Sequence, residues 1–170
     1  MFKTILVALD GSALAEQALA PAFSVAAKYK ASIVLLRVVP PERVLPGWQY
    51  LAASPNSTPA DPVQALIEEA QDYLAGLSLP AADIPAHTRV LVGAPPEIIV
   101  AAAAEAGADL IAMSTHGRTG LTRLLYGSVA EAVLRGSPVP VLLVPNRVPV
   151  RLTKVDQELG RLGALAANHP

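Results

Sequence analysis

The chain contains no cysteine, which removes disulfides, thiolate metal sites, iron–sulfur clusters and thiol nucleophiles together. It also has no excess of positive charge. Thirteen lysines and arginines stand against 14 aspartates and glutamates, a formal charge of −1, so the molecule as a whole has no electrostatic reason to seek nucleic acid or an anionic membrane. Any anion it holds must be held by local geometry. No apolar run reaches the roughly 20 residues a membrane span requires: Ile98 to Met113 contains Glu105 and Asp109. The opening "MFKTILVALDGS" has one positive residue and an apolar run that Asp10 ends, too short for a signal peptide. The three histidines, His87, His116 and His169, are well spread, and none sits with carboxylates at metal-ligand spacing. Repeats and low-complexity tracts are absent as well. The expectation is a soluble, cytoplasmic protein.

What is present is material for one core. A chain of 170 residues that is 52% hydrophobic and only 16% charged makes a single folded domain rather than a disordered segment. Apolar, β-branched runs appear at Thr4 to Leu9, Ser32 to Val39, His87 to Val92, Asp109 to Ser114 and Pro140 to Pro145. At least four are continuous rather than alternating, as strands are when both faces are covered. Segments of helix length lie between them: Leu14 to Lys30, Asp61 to Gly76, Pro96 to Ala106 and Ser128 to Arg135. Their ends carry helix punctuation in Ser12, in Asp61 followed by Pro62, and in Gly107. Strict alternation implies parallel strands joined by right-handed crossovers. The expected fold is α/β, a doubly wound five-stranded parallel sheet sandwiched by helices, over residues 1–146. Residues 40–60 form a long proline-rich insertion, read either as a lid carrying Trp48 or Tyr50 or as a disordered insert. In the tail 147–170, "VDQELGRLGALAA" allows a short amphipathic helix on the surface, or a frayed end.

In such a sheet a ligand binds outside the carboxyl ends of the strands, where strand order reverses. The loops "ALDGS", "RVVP" and "MSTHG" gather at that edge, and adjacency of the first and fourth strands would set Asp10 across from Gly117. The stretch Ser114 to Ser128, "STHGRTGLTRLLYGS", offers successive backbone N–H groups and then a helix start at Gly127 and Ser128. Together these make an anion site, phosphate being the commonest occupant. Ser114, Thr115 and Ser128 add hydroxyl donors, and Arg118 and Arg123 add charge-assisted bonds. Alone, a glycine–serine pair before a helix is more often only a cap, and Asp10 reads equally as a turn aspartate.

The segments "LVALDGS", "LLRVVP" and "LVGAPPEIIVAAAAEAGADLIAMSTHGRTGLTRLLYGSVAEAVLRGSPVPVLLVP" resemble the universal stress protein family, from Met1 to Asn146 apart from the long loop. One branch of that family binds ATP or a related adenine nucleotide through glycine, two residues, glycine, nine residues, glycine, then serine or threonine. Set on this chain, the second and third glycines are Gly117 and Gly127, followed by Ser128, while Ser114 stands in the first glycine's place. The resemblance implies that Asp10 holds the adenine or ribose edge and that Val38 meets adenine through its backbone. Ala8 keeps the pocket open, and Met113, His116, Arg118 and Val129 complete the implied set. His116 reads as a phosphate contact or a surface group rather than a catalyst.

The reading is therefore a stress-response sensor or regulator, not an enzyme, with ATP, ADP or AMP as ligand and Mg²⁺ arriving with it. A homodimer through the edge strand Val139–Val144 is implied, together with regulatory protein partners of unknown kind. Two alternatives stay open: a dimeric interaction protein whose crevice holds no nucleotide, and a slow ATP hydrolase, although the chain lacks a phosphate-loop lysine.

Overall fold

A computed structural model describes residues 1–40, 62–115 and 127–145 of the chain. Among these residues β1 (Thr4–Leu9), β2 (Ser32–Val39), β3 (Ala86–Val92), β4 (Leu110–Ser114) and β5 (Val141–Val144) form one sheet in the order β3-β2-β1-β4-β5. Every pairing is parallel, with Ala8 opposite Leu36 and Val7 opposite Ala112. The connecting helices are α1 (Ala13–Glu16), α2 (Leu19–Tyr29), α3 (Pro62–Ala75), α4 (Pro95–Glu105) and α5 (Ser128–Gly136). This is the expected doubly wound α/β sandwich.

The period of two along each strand divides the core into two layers. Ile5, Val7 and Leu9 of β1 and Ile33 and Leu35 of β2 pack with Ala15 of α1, Leu19, Ala22 and Phe23 of α2, and Leu74 of α3. Leu6, Ala8, Leu36, Val38, Ile111 and Met113 face the other way, against Ile99, Ala102 and Ala103 of α4 and Ala130 and Val133 of α5. Both faces of β1, β2 and β4 are thus covered, which is why those segments are continuously apolar. At one margin β3 leaves His87, Thr88 and Val92 exposed; at the other every residue of β5 is half-buried. No helix among the described residues is long and apolar enough to cross a membrane.

The first crossover corrects the expectation of one helix from Leu14 to Lys30. It is broken at Gln17 and Ala18 into α1 and α2. Pro21 supplies the reason: it has no N–H to give the Gln17 carbonyl, and its ring collides with that carbonyl in a continuous helix. In the first turn of α2 the same residue is tolerated, because N–H groups there have no intrahelical acceptor. The fourth helix starts at Pro95 rather than Pro96. Asp61 as a cap, the loop beyond Pro40, and the tail from Asn146 with its helical pattern lie outside the described residues.

Candidate ligand cleft at the switch point

From β1 the chain leaves toward the face of α1 and α2, whereas from neighbouring β4 it leads to α5 on the opposite face. The two exits diverge, and a cleft of about 280 Å³ opens between them at the carboxyl edge of the sheet.

Its first wall is the end of β1. Gly11 has φ +83, a left-handed turn that glycine adopts without strain and that swings the chain away from the sheet. Asp10 Oδ1 accepts hydrogen bonds from the Ser12 N–H (2.9 Å) and the Ser12 hydroxyl (2.6 Å), while Ser12 Oγ accepts one from the Ala15 N–H (3.1 Å). One serine therefore caps α1 and fixes the aspartate at the lip of the cleft.

The second wall is the end of β4 with the start of α5. The Thr115 N–H donates to the Val144 carbonyl at 2.9 Å, and the Gly127 N–H to the Thr115 carbonyl at 2.6 Å, so the stems of the segment 116–126 are joined. Gly127 caps α5 without a side-chain hydrogen bond. The first N–H groups of α5, from Ser128 onward, have no acceptor within the helix, and the positive end of its dipole is at the cleft. Between the two walls, Leu36 and Val38 of β2, Ile99 of α4 and Met113 of β4 make an apolar floor. An apolar slot ending in unpaired donors suits a flat, weakly polar ring that carries an anionic group.

Ala8, Asp10, Val38, Met113, Ser114, Gly127, Ser128 and Val129, all named from the sequence, line this one cleft. His116, Gly117 and Arg118 lie outside the described residues. Sequence reasoning missed Leu36, Pro40, Pro95, Ile99 and, above all, Arg37. Arg37 is only 5% exposed and its guanidinium lies 5.9 Å from the centroid of the Tyr73 ring. The Tyr73 hydroxyl in turn donates to Glu16 Oε1 at 3.1 Å, and burial together with the Glu16 charge pushes its ionisation well above the ordinary tyrosine range. The one signal for Arg37 was a lone cation in the apolar run "SIVLLRVV". No group of three or more histidines and carboxylates among the described residues is arranged to hold a metal ion.

The profile of the universal stress protein family matches residues 1–145. The chain belongs to that family. It is 34% identical over 151 residues to universal stress protein MJ0531 of Methanocaldococcus jannaschii, covering 85% of this chain and 82% of the relative. The solved structure of MJ0577 from the same organism superposes with a TM-score of 0.69 at 32% identity, covering 86% of this chain and 98% of that one. A universal stress protein solved in complex with cAMP superposes with a TM-score of 0.53 at 28% identity, over 85% and 97% of the two chains. The family resemblance set Ser114 in the place of the nucleotide-binding branch's first glycine. That serine is 7% exposed, at the end of β4 and on the wall of the cleft.

Proposed function

We propose that the cleft binds an adenine nucleotide and that the protein acts as a ligand-dependent regulator. The observation that carries this reading is the convergence of eight residues named from the sequence on one cleft with an apolar floor and the amino end of α5 at its mouth. A family member at 28% identity was solved with cAMP, which supports a purine nucleotide as the ligand. The base lies on Val38 and Met113 with Asp10 at its polar edge; the phosphates lie toward Gly127 and Ser128 at the start of α5, and Mg²⁺ enters with a triphosphate. In this reading the bound nucleotide is a signal rather than a substrate.

Calorimetric titration of nucleotide-stripped protein with Mg·ATP, ADP, AMP and cAMP tests this. Micromolar affinity, about 8 kcal/mol, is expected for at least one of them. Ser128→Asp is the informative variant. Position 128 is exposed in the first turn of α5, where a carboxylate favours the helix, so the fold is retained. A phosphate about 6 Å from the new charge is repelled by about 3 kcal/mol at an effective dielectric of about 20, a loss of roughly 100-fold. Unchanged affinity in Ser128→Asp, or no nucleotide bound at millimolar concentration, contradicts the reading. ADP accumulating in proportion to protein would make the chain a hydrolase instead.

The same reading includes a homodimer through β5, an apolar "VLLV" at the sheet margin. Unpaired edges of this kind are commonly covered by a symmetric copy. Sedimentation at micromolar concentration should show two chains per particle, and monomer alone would remove this element.

A further inference from the structure

We propose that Tyr73, which does not line the cleft, is a positioning residue for the nucleotide: its hydrogen bond to Glu16 holds α1 in place and, through the Asp10–Ser12 turn, sets Asp10 at the edge of the base. The inference rests on the nucleotide reading above. Helix α1 is a weak element by itself. It has four residues, a break at Gln17 and Ala18 separates it from α2, and of its own side chains only Ala15 is buried. One turn of helix does not offset the ordering of its backbone, so its position is set by what its ends are attached to. At the amino end Ser12 Oγ accepts from the Ala15 N–H, and Asp10 Oδ1 accepts from the Ser12 N–H and hydroxyl. At the carboxyl end the Glu16 N–H donates to the Ser12 carbonyl at 3.2 Å, and Glu16 Oε1 accepts from the Tyr73 hydroxyl at 3.1 Å. Asp10, Ser12, Glu16 and Tyr73 thus form one hydrogen-bonded line from the lip of the cleft to α3.

Tyr73 is itself fixed. Its ring centroid lies 5.9 Å from the Arg37 guanidinium, and Arg37 is buried on β2 opposite Leu9 of β1, so the hydroxyl takes its bearing from the sheet as well as from α3. Burial and the charges of Glu16 and Asp10, against that of Arg37, raise the ionisation of this hydroxyl, which therefore keeps its proton and stays a donor throughout the neutral range. The charge of Asp10 acting on a hydroxyl of α3 also shows that the lip of the cleft and the far end of α1 belong to one electrostatic cluster. A ligand contact works only while its supports hold it to within about 0.5 Å of the productive geometry. Loosening α1 should therefore weaken what Asp10 holds, the base or ribose, and leave the phosphate wall at Gly127 and Ser128 as it is. The loss should be the same factor for ATP and for AMP.

Calorimetry with ATP and AMP on the full chain tests this. Tyr73→Phe keeps the ring beside Arg37 and loses only the hydroxyl, while Glu16→Ala loses the acceptor. Each should weaken both nucleotides by about 3- to 10-fold, the worth of one hydrogen bond. The double variant should be no weaker than either single one, and Glu16→Gln, which keeps an acceptor oxygen, should stay within about twofold of the parent. In an Asp10→Ala background, where ATP is still held by the phosphate wall, Tyr73→Phe should have no further effect; a merely structural loss would weaken binding again. Amide shifts of the nucleotide-free protein read the mechanical link without any ligand: those of Asp10, Gly11 and Ser12 should move in Tyr73→Phe. Unmoved amides, unchanged affinity in Tyr73→Phe, or a loss that persists in the Asp10→Ala background overturns the proposal and leaves the nucleotide reading standing. A parent protein that binds no nucleotide overturns both.

Discussion

Gly93→Ala should be among the most damaging single-methyl changes in the domain, and the structure says why. Gly93 follows β3 with φ +150, and its N–H donates to the Val39 carbonyl at 3.1 Å, so the turn is tied to the sheet. A Cβ on this backbone would stand 2.7 Å from Ile98 Cγ1 and 2.8 Å from Ile98 Cδ1. The backbone strain of a non-glycine residue there costs of order 1–3 kcal/mol. Overpacking against Ile98, which is held in the α4 layer, adds a further cost of order 1–3 kcal/mol. A total near 4 kcal/mol is a large share of a stability of about 5–15 kcal/mol. At this chain length it lowers the thermal midpoint by roughly 10 °C. The clash and the strain are separable, because Ile98→Ala removes both offending atoms and leaves φ unchanged. Ile98→Ala should therefore cost less in the Gly93→Ala background than alone, with a coupling of about 1–3 kcal/mol in a double-mutant cycle by urea unfolding. Relief by displacement of α4 would also move Pro95 and Ile99, so nucleotide affinity should fall in Gly93→Ala and recover in part in the double variant. A Gly93→Ala protein within about 0.5 kcal/mol of the parent, or strictly additive costs, would refute the reasoning.

Ser12→Ala removes the cap of α1 and the hydroxyl that, beside the retained backbone N–H, holds Asp10, so unfolding should show a loss of about 1 kcal/mol and calorimetry a weaker nucleotide. Asp109 Oδ2 accepts from the Lys3 N–H (2.6 Å) and the Thr4 N–H (3.1 Å), and these bonds hold its carboxyl below the usual carboxylate range. A folded-state pKa that is depressed means stabilisation present above the unfolded value of about 3.9 and lost as pH falls through the folded one. Thermal midpoints of the parent should accordingly drop more steeply below pH 4 than those of Asp109→Asn, and parallel curves would contradict this.

The central architecture was legible because β1, β2 and β4 are apolar on both faces and the intervening segments carry helix ends at Ser12 and Gly107. That pattern leaves few topologies once crossovers must be right-handed. The break in the first crossover was not anticipated, since the apolar period runs on through Pro21 and only the missing N–H and the ring stop the helix. Asp10 read equally as turn residue or ligand contact, and the structure shows the two to be compatible: it is bound to Ser12 and still lines the cleft. Arg37 escaped because what makes a buried cation tolerable comes from elsewhere in the chain. The Tyr73 ring beside its guanidinium is on α3, and no local pattern links the two. Pro95 and Ile99 were missed for a similar reason, since α4 belongs to the crossover before β4 yet lines a cleft built by the loops after β1 and β4.

The most direct test of the nucleotide reading is a backbone amide shift map of labelled protein titrated with ATP and AMP. Binding in the cleft should move the amides of Asp10, Val38, Gly127, Ser128 and Val129, and leave those of Phe2 and Tyr29, at the opposite edge of the sheet, in place. Saturable shifts centred anywhere else, or no shifts at millimolar nucleotide, would contradict the account.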